Sequence, residues 1–199
     1  MNDGLQLAIG FLELKGAVHG MTALDVVNKA AVVHILQTQV VCPGKFTVLF
    51  TGKMAAVSTA HAAALARVGS GLYDSCLIGR IHPDLGRGLY GMFAELPKGE
   101  MEALGILETL SMAAGIKAAD AALKAGAVEL RELRLGYALG GRSYFAMSGA
   151  TSAVEASLAA ALEVAVERGS LGSHCIIPRP AKALYTMSFL QGGIPHDYT

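Results

Sequence analysis

Cys42-Pro43-Gly44-Lys45 is the segment of this 199-residue chain with the clearest capacity for chemistry. A thiol beside Pro-Gly belongs to a turn, where backbones can approach an axis of symmetry closely, and a thiolate there could ligate a metal. The other cysteines, Cys76 and Cys175, lie beside Leu77-Ile78 and Ile176-Ile177. An apolar strand is a poor place for a reactive thiolate, so both are expected in the core. Lys45 follows one turn, and Arg142 follows a second, Leu139-Gly140-Gly141. Each is either solvated surface charge or part of a cationic field that favours anions. The six histidines include no HxH or HxxxH pair, and no Ser-His-Asp order, Walker loop or GxGxxG is present. Gly69-Ser70-Gly71 lacks a phosphate-loop context. No catalytic centre is expected.

The elements that must position these residues come in duplicate. Ala8-Ile9-Gly10-Phe11-Leu12-Glu13 returns as Ala103-Leu104-Gly105-Ile106-Leu107-Glu108, an offset of 95 from Glu13 to Glu108. The same offset carries Gly20 to Gly115, Asp25 to Asp120 and Lys29 to Lys124. It becomes 97 from Gly44-Lys45 to Gly141-Arg142, and 99 from Cys76 and Arg80 to Cys175 and Arg179. Matched elements separated by small indels at turns are the trace of a duplicated domain. Each half reads β-α-β-β-α-β: strand 6–14, helix 20–31, strand 32–41, a turn at 42–45, strand 46–50, helix 53–68 and strand 72–81. That pattern is the ferredoxin-like α+β arrangement. The expected organisation is a first domain at 1–82, a linker at 83–102, a second domain at 103–181 and an irregular tail at 182–199.

Composition narrows the function classes. Hydrophobic residues make up 53% of the chain and charged ones 16%, with formal net charge zero. A chain this apolar can repay its ordering entropy, so disorder is excluded. Phosphate binding needs a surplus of Lys and Arg, so nucleic acid is not an expected partner. Every long apolar run is broken by charge, as at Asn28-Lys29 and Asp120, and Met1-Asn2-Asp3-Gly4 does not open like a signal peptide. The expectation is a soluble cytoplasmic protein, without a membrane partner, whose surplus apolar surface is used in subunit contacts.

The combination of Ala8-Ile9-Gly10-Phe11-Leu12-Glu13, Ala23 to Lys29, the turns before Lys45 and Arg142, and Ile177-Pro178-Arg179-Pro180 resembles bacterial microcompartment shell domains. The resemblance covers both halves and implies a non-enzymatic shell tile, a homotrimer imitating the hexamer of single-domain relatives. Within that family, the Cys42 turn is similar to that of the tandem-domain type found in propanediol-utilisation microcompartments, where the cysteine ligates an iron–sulfur cluster. The resemblance therefore implies one 4Fe-4S cluster per trimer, held by Cys42 from three chains. Cys42, Pro43, Gly44, Lys45, Leu139, Gly140, Gly141 and Arg142 would then line the pore. Lys29, Lys124, Arg80 and Arg179 match positions that contact neighbouring shell proteins. Gly79-Arg80-Ile81-His82 departs from the family ending, so Arg80 matches less well than Arg179. Such a cluster would serve electron transfer or cluster transport across the shell, with a luminal or cytosolic redox enzyme as the exchange partner. Two alternatives stay open: a tile with an open metabolite pore and no cluster, and a soluble trimeric ligand-binding or regulatory module.

Overall fold

The computed structural model describes residues 8–95 and 99–186. The first half runs β1 (Ala8–Lys15), α1 (Ala17–Ala30), β2 (His34–Val41), β3 (Lys45–Gly52), α2 (Met54–Val68) and β4 (Leu72–Ile78). The short helix α3 (Pro83–Gly88) follows. The second half runs β5 (Ala103–Thr109), α4 (Met112–Ala125), β6 (Glu129–Leu135), β7 (Ser143–Gly149), α5 (Thr151–Glu167) and β8 (Leu171–Pro178), and then α6 (Lys182–Thr186). The sheets have the orders β2-β3-β1-β4 and β6-β7-β5-β8, with antiparallel neighbours throughout. This is the duplicated ferredoxin-like fold anticipated from the repeat. No helix among the described residues is long and apolar enough to cross a membrane.

Alternation along β1 explains how the halves join. Ala8, Leu12 and Leu14 point to the inner face and pack with Ala23 and Val27 of α1 and Val57, Ala60 and Ala64 of α2. Ile9 and Phe11 point to the outer face, where they share a core with Leu49, Cys76 and Ile78 and with Met112, Ala113, Ile116 and Ala119 of α4. The outer face of the first sheet is thus buried by a helix of the second half. Both faces of a strand being covered accounts for its nearly unbroken apolar run.

The 83–102 segment is more than a linker. Leu85 of α3 is fully buried in the shared core, Phe93 packs against it, and Met101 is buried under the outer face of the second sheet. Helix α6 occupies the equivalent place after the second half, since Leu85 maps to Leu184 at an offset of 99, and Leu184 packs on Leu104 and Ala146. The expected irregular tail therefore begins with a helical turn, and residues 187–199 lie outside the described residues.

Because Ile116 belongs to α4 yet packs in a core that includes residues of the first sheet, the halves should unfold together. Ile116→Ala is expected to cost about 2–5 kcal/mol, measured as a shift in the midpoint of a single urea transition. Two separate transitions in the parent protein would contradict the shared core.

Candidate functional site

Two turns meet at one end of the molecule. The β2–β3 turn exposes Cys42, Pro43 and Gly44, and Gly44 has φ +75°, a conformation in which a Cβ would be strained. The β6–β7 turn covers residues 136–141 and is closed by a hydrogen bond from Gly136 N–H to the Arg142 carbonyl at 2.8 Å. The two turns are tied by Lys45, whose Nζ donates to the Gly141 carbonyl at 3.0 Å. Gly141 has φ +75°, and a Cβ on it would lie 3.0 Å from the Lys45 side chain, so glycine is needed there twice over.

Lys45 is not the solvated cation that its place after the turn suggests. It is 8% exposed, its Nζ donates to Glu13 Oε1 at 2.6 Å, and it lies 3.4 Å from the Tyr73 ring centroid. The physical reason is strand alternation: Lys45, at the start of β3, pairs with Lys15, and its side chain falls on the outer face that α4 covers. A charge taken out of water needs a partner, and Glu13 is that partner. Glu13 is itself fully buried, and its Oε2 accepts from Met112 N–H at 3.0 Å and Ala113 N–H at 3.4 Å, the first amides of α4. A carboxylate is well placed there, against the positive end of the helix dipole. Burial pushes the Glu13 pKa up, while Lys45 and the two amides pull it back. Ser111 caps the same helix through Ala114 N–H at 3.2 Å, and Asp74 accepts from the Ser111 hydroxyl. Of the two expected cations only Arg142 remains exposed.

Cys42 and Cys175 are exposed, and Cys76 is buried. The core expectation thus holds for Cys76, whose thiol is pushed up to about 12 chiefly by burial. Cys175 departs from it, because α6 and Met101 cover that sheet face only around Leu104 and Ala146 and leave Cys175 exposed. Leu139 is half-buried, and Pro43, Gly140 and Arg142 are exposed. Lys29 pairs with Asp25 of its own helix at 2.7 Å. Lys124 pairs with Asp120 and donates to the Arg80 carbonyl, and Asp120 in turn accepts from His82 N–H at 2.8 Å. Lys124 is thereby engaged inside the chain. The side chains of Arg80 and Arg179 are exposed and have no hydrogen-bond partner among the described residues. Among the described residues no group of three or more His, Cys, Asp or Glu is placed to hold a metal, so a single chain offers one exposed thiol at this end.

The fold is a twice-repeated ferredoxin-like domain whose two glycine-bearing turns gather at one end, an arrangement that by itself does not fix a function. The family model for the BMC domain matches residues 8–81 and 103–180, and the chain belongs to this family of bacterial microcompartment shell proteins. It is 36% identical over 178 residues to the bacterial microcompartment shell protein PduT of Citrobacter freundii, covering 89% of this chain and 95% of that one. One half is 38% identical over 88 residues to the major carboxysome shell protein CsoS1A of Halothiobacillus neapolitanus, covering 43% of this chain and 90% of that one. A microcompartment protein of Desulfitobacterium hafniense has a similar solved structure, with TM-score 0.79, 36% identity and coverage of 92% and 99%. Family membership makes the chain a structural component of a bacterial microcompartment shell and not an enzyme. It also sets aside the soluble ligand-binding module.

Sequence reasoning missed Glu13 as the organiser of this end. The available signal was a carboxylate inside an otherwise apolar strand, in register with Ile9 and Phe11. Glu13→Ala leaves Lys45 buried without a counter-charge and the α4 amides without an acceptor. A loss of about 3–5 kcal/mol is expected, read from denaturant midpoints. A loss below about 1 kcal/mol would show that the pair is not desolvated as described.

Proposed function

We propose that three copies close into a pseudo-hexagonal trimer that tiles a microcompartment facet, and that Cys42 from the three chains holds one 4Fe-4S cluster at the axis. The observation that carries this reading is the pairing of two equivalent turns at one end, only one of which bears a thiol. Cys42 maps to Leu139 at an offset of 97, so a closed ring would present three sulfurs alternating with three leucines. The exposure of Cys42 and the similarity over nearly the whole chain to the shell protein PduT support it.

The donor set fits the group only in the assembly. Three thiolates bind three irons, and the fourth iron takes a ligand other than protein cysteine. When bound, such a cluster supplies one-electron transfer. The chain's own part is to hold the turn in place through Lys45 and Gly141, to surround the sulfur with Leu139, and to leave Arg142 as the nearby exposed cation. Lys45 adds little field, because Glu13 neutralises it. Electrons, or the cluster itself, would pass to a redox enzyme on one side of the shell. Lateral contacts to other shell proteins are assigned to Arg80, Arg179, Lys29 and the exposed part of Lys124.

Anaerobically purified protein is expected to contain iron and sulfide and to absorb in the visible. Cys42→Ser should lose all three signals and keep the trimer, while Cys76→Ser and Cys175→Ser retain them. An iron-free, colourless parent after reconstitution would overturn the cluster and leave the open metabolite pore. At the edges, Arg80→Ala combined with Arg179→Ala should abolish sheets in negative-stain images without dissociating trimers. Sheets equal to those of the parent would refute the edge assignment.

A further inference from the structure

The two turns at the Cys42 end differ in length. Val41 pairs with Lys45 across the first turn, and Gly136 N–H reaches the Arg142 carbonyl across the second. The first turn therefore holds residues 42–44 and the second residues 137–141. At the offset of 97, Leu139, Gly140 and Gly141 take the places of Cys42, Pro43 and Gly44. Tyr137 and Ala138 are left without a counterpart. Ala138 has φ +57°, a left-handed conformation that a residue with a Cβ rarely adopts. Strain of this kind persists only where the surroundings hold it, and it gathers at ligand sites.

The longer turn is held firmly against the shorter one. Tyr137 N–H donates to the Leu135 carbonyl at 2.9 Å, Leu139 N–H to that of Gly136 at 3.3 Å, and Arg142 N–H to that of Leu139 at 3.2 Å. A Cβ on Gly136 would lie 2.5 Å from Cγ1 of Val41, the residue before Cys42. At the other end the Gly141 carbonyl accepts from Lys45, the residue after the first turn. The ends of the second turn thus press on the ends of the first, and Tyr137, next to Gly136, is carried beside Cys42. Tyr137 is 55% exposed, and its hydroxyl has no hydrogen-bond partner among the described residues. A Cβ on Gly44 or on Gly140 would meet nothing within 4 Å, so the tips of both turns border open space. A large ring that the core does not use therefore stands at the edge of that space, beside an exposed thiol.

We propose that Tyr137 controls access to the Cys42 site: in the trimer its ring overhangs the thiol of its own chain, admitting small species to the sulfur or to the metal it holds and excluding bulky ones. The proposal rests on the trimer and cluster proposed above and names the residue that governs approach to them. An aromatic ring suits the task, being wide and stiff with only two rotatable bonds, while its hydroxyl keeps one edge wetted. The turn that lacks a thiol would supply the cover for the turn that has one. An iron beneath the ring would exchange its non-cysteine ligand with water but not with a large chelating anion.

The test uses the full chain in two forms. In the metal-free trimer, Cys42 is labelled with iodoacetamide and, separately, with a fluorescein maleimide, and each rate is read from the Cys42 peptide. Tyr137→Ala should speed the maleimide reaction about tenfold and change the iodoacetamide rate by less than about twofold. Tyr137→Phe should match the parent with both reagents, because it keeps the ring. Tyr90→Ala, at an exposed tyrosine outside the two turns, should match it too. In the anaerobically loaded trimer, Tyr137→Ala should lose its visible absorbance to EDTA faster than the parent, while Tyr137→Phe bleaches at the parent rate. Equal maleimide rates in the parent and Tyr137→Ala would overturn the cover. So would an equal acceleration of both reagents, which reports a loosened turn. A parent trimer that takes up no iron would overturn the cluster, and the maleimide rates would still decide the part played by Tyr137. A protein monomeric in sedimentation velocity at every concentration would overturn the trimer, and the cover with it.

Discussion

Glu13 and Lys45 form a buried ion pair at the start of α4, and the arrangement of both halves depends on it. Removing two charges from water costs several kcal/mol per ion, so the pair has value only where geometry and further hydrogen bonds are supplied. Here the carboxylate receives one ammonium and two helix amides, and the ammonium also reaches the Gly141 carbonyl and the Tyr73 ring. These contacts join β1, β3, β4, α4 and the β6–β7 turn at one point. An apolar interface alone could slide by a residue. A charge that must find its partner fixes one register, and with it the relative position of the Cys42 and Leu139 turns.

Duplication gives this chain an option closed to a single-domain tile. A homohexamer repeats every turn residue six times around its axis. Two fused halves may differ, and here one turn carries Cys42 while the other carries Leu139. Three thiols instead of six is the number that suits a cluster with one externally held iron. The same freedom shows in the supports around the ion pair, where Ser111, Tyr73 and Asp74 in one setting face Gly16, Gly172 and Ser173 in the other.

Much of the fold was legible in the sequence because it is locally coded. β-Branched strands, Ala-rich helices and Gly-Pro turns set the elements, and the expected helix at 53–68 is observed as Met54–Val68. The repeat then supplied the architecture. What escaped reading depends on contacts remote in sequence. Lys45 looked solvated because nothing near it shows that α4 closes over β3. The 83–102 segment looked like a linker because its Pro and Gly content hides a helical turn that buries Leu85. Cys76 and Cys175 occupy equivalent places on apolar stretches of β4 and β8, yet only the first is buried by this chain.

The central claim, made as a proposal, is that three copies gather their Cys42 turns at one axis around a single cluster. Electron cryomicroscopy of the purified protein tests it most directly. The account predicts a threefold ring with density on the axis between the three Cys42 residues. A map with copies that associate without closing, or with an empty axis after anaerobic purification, would contradict it.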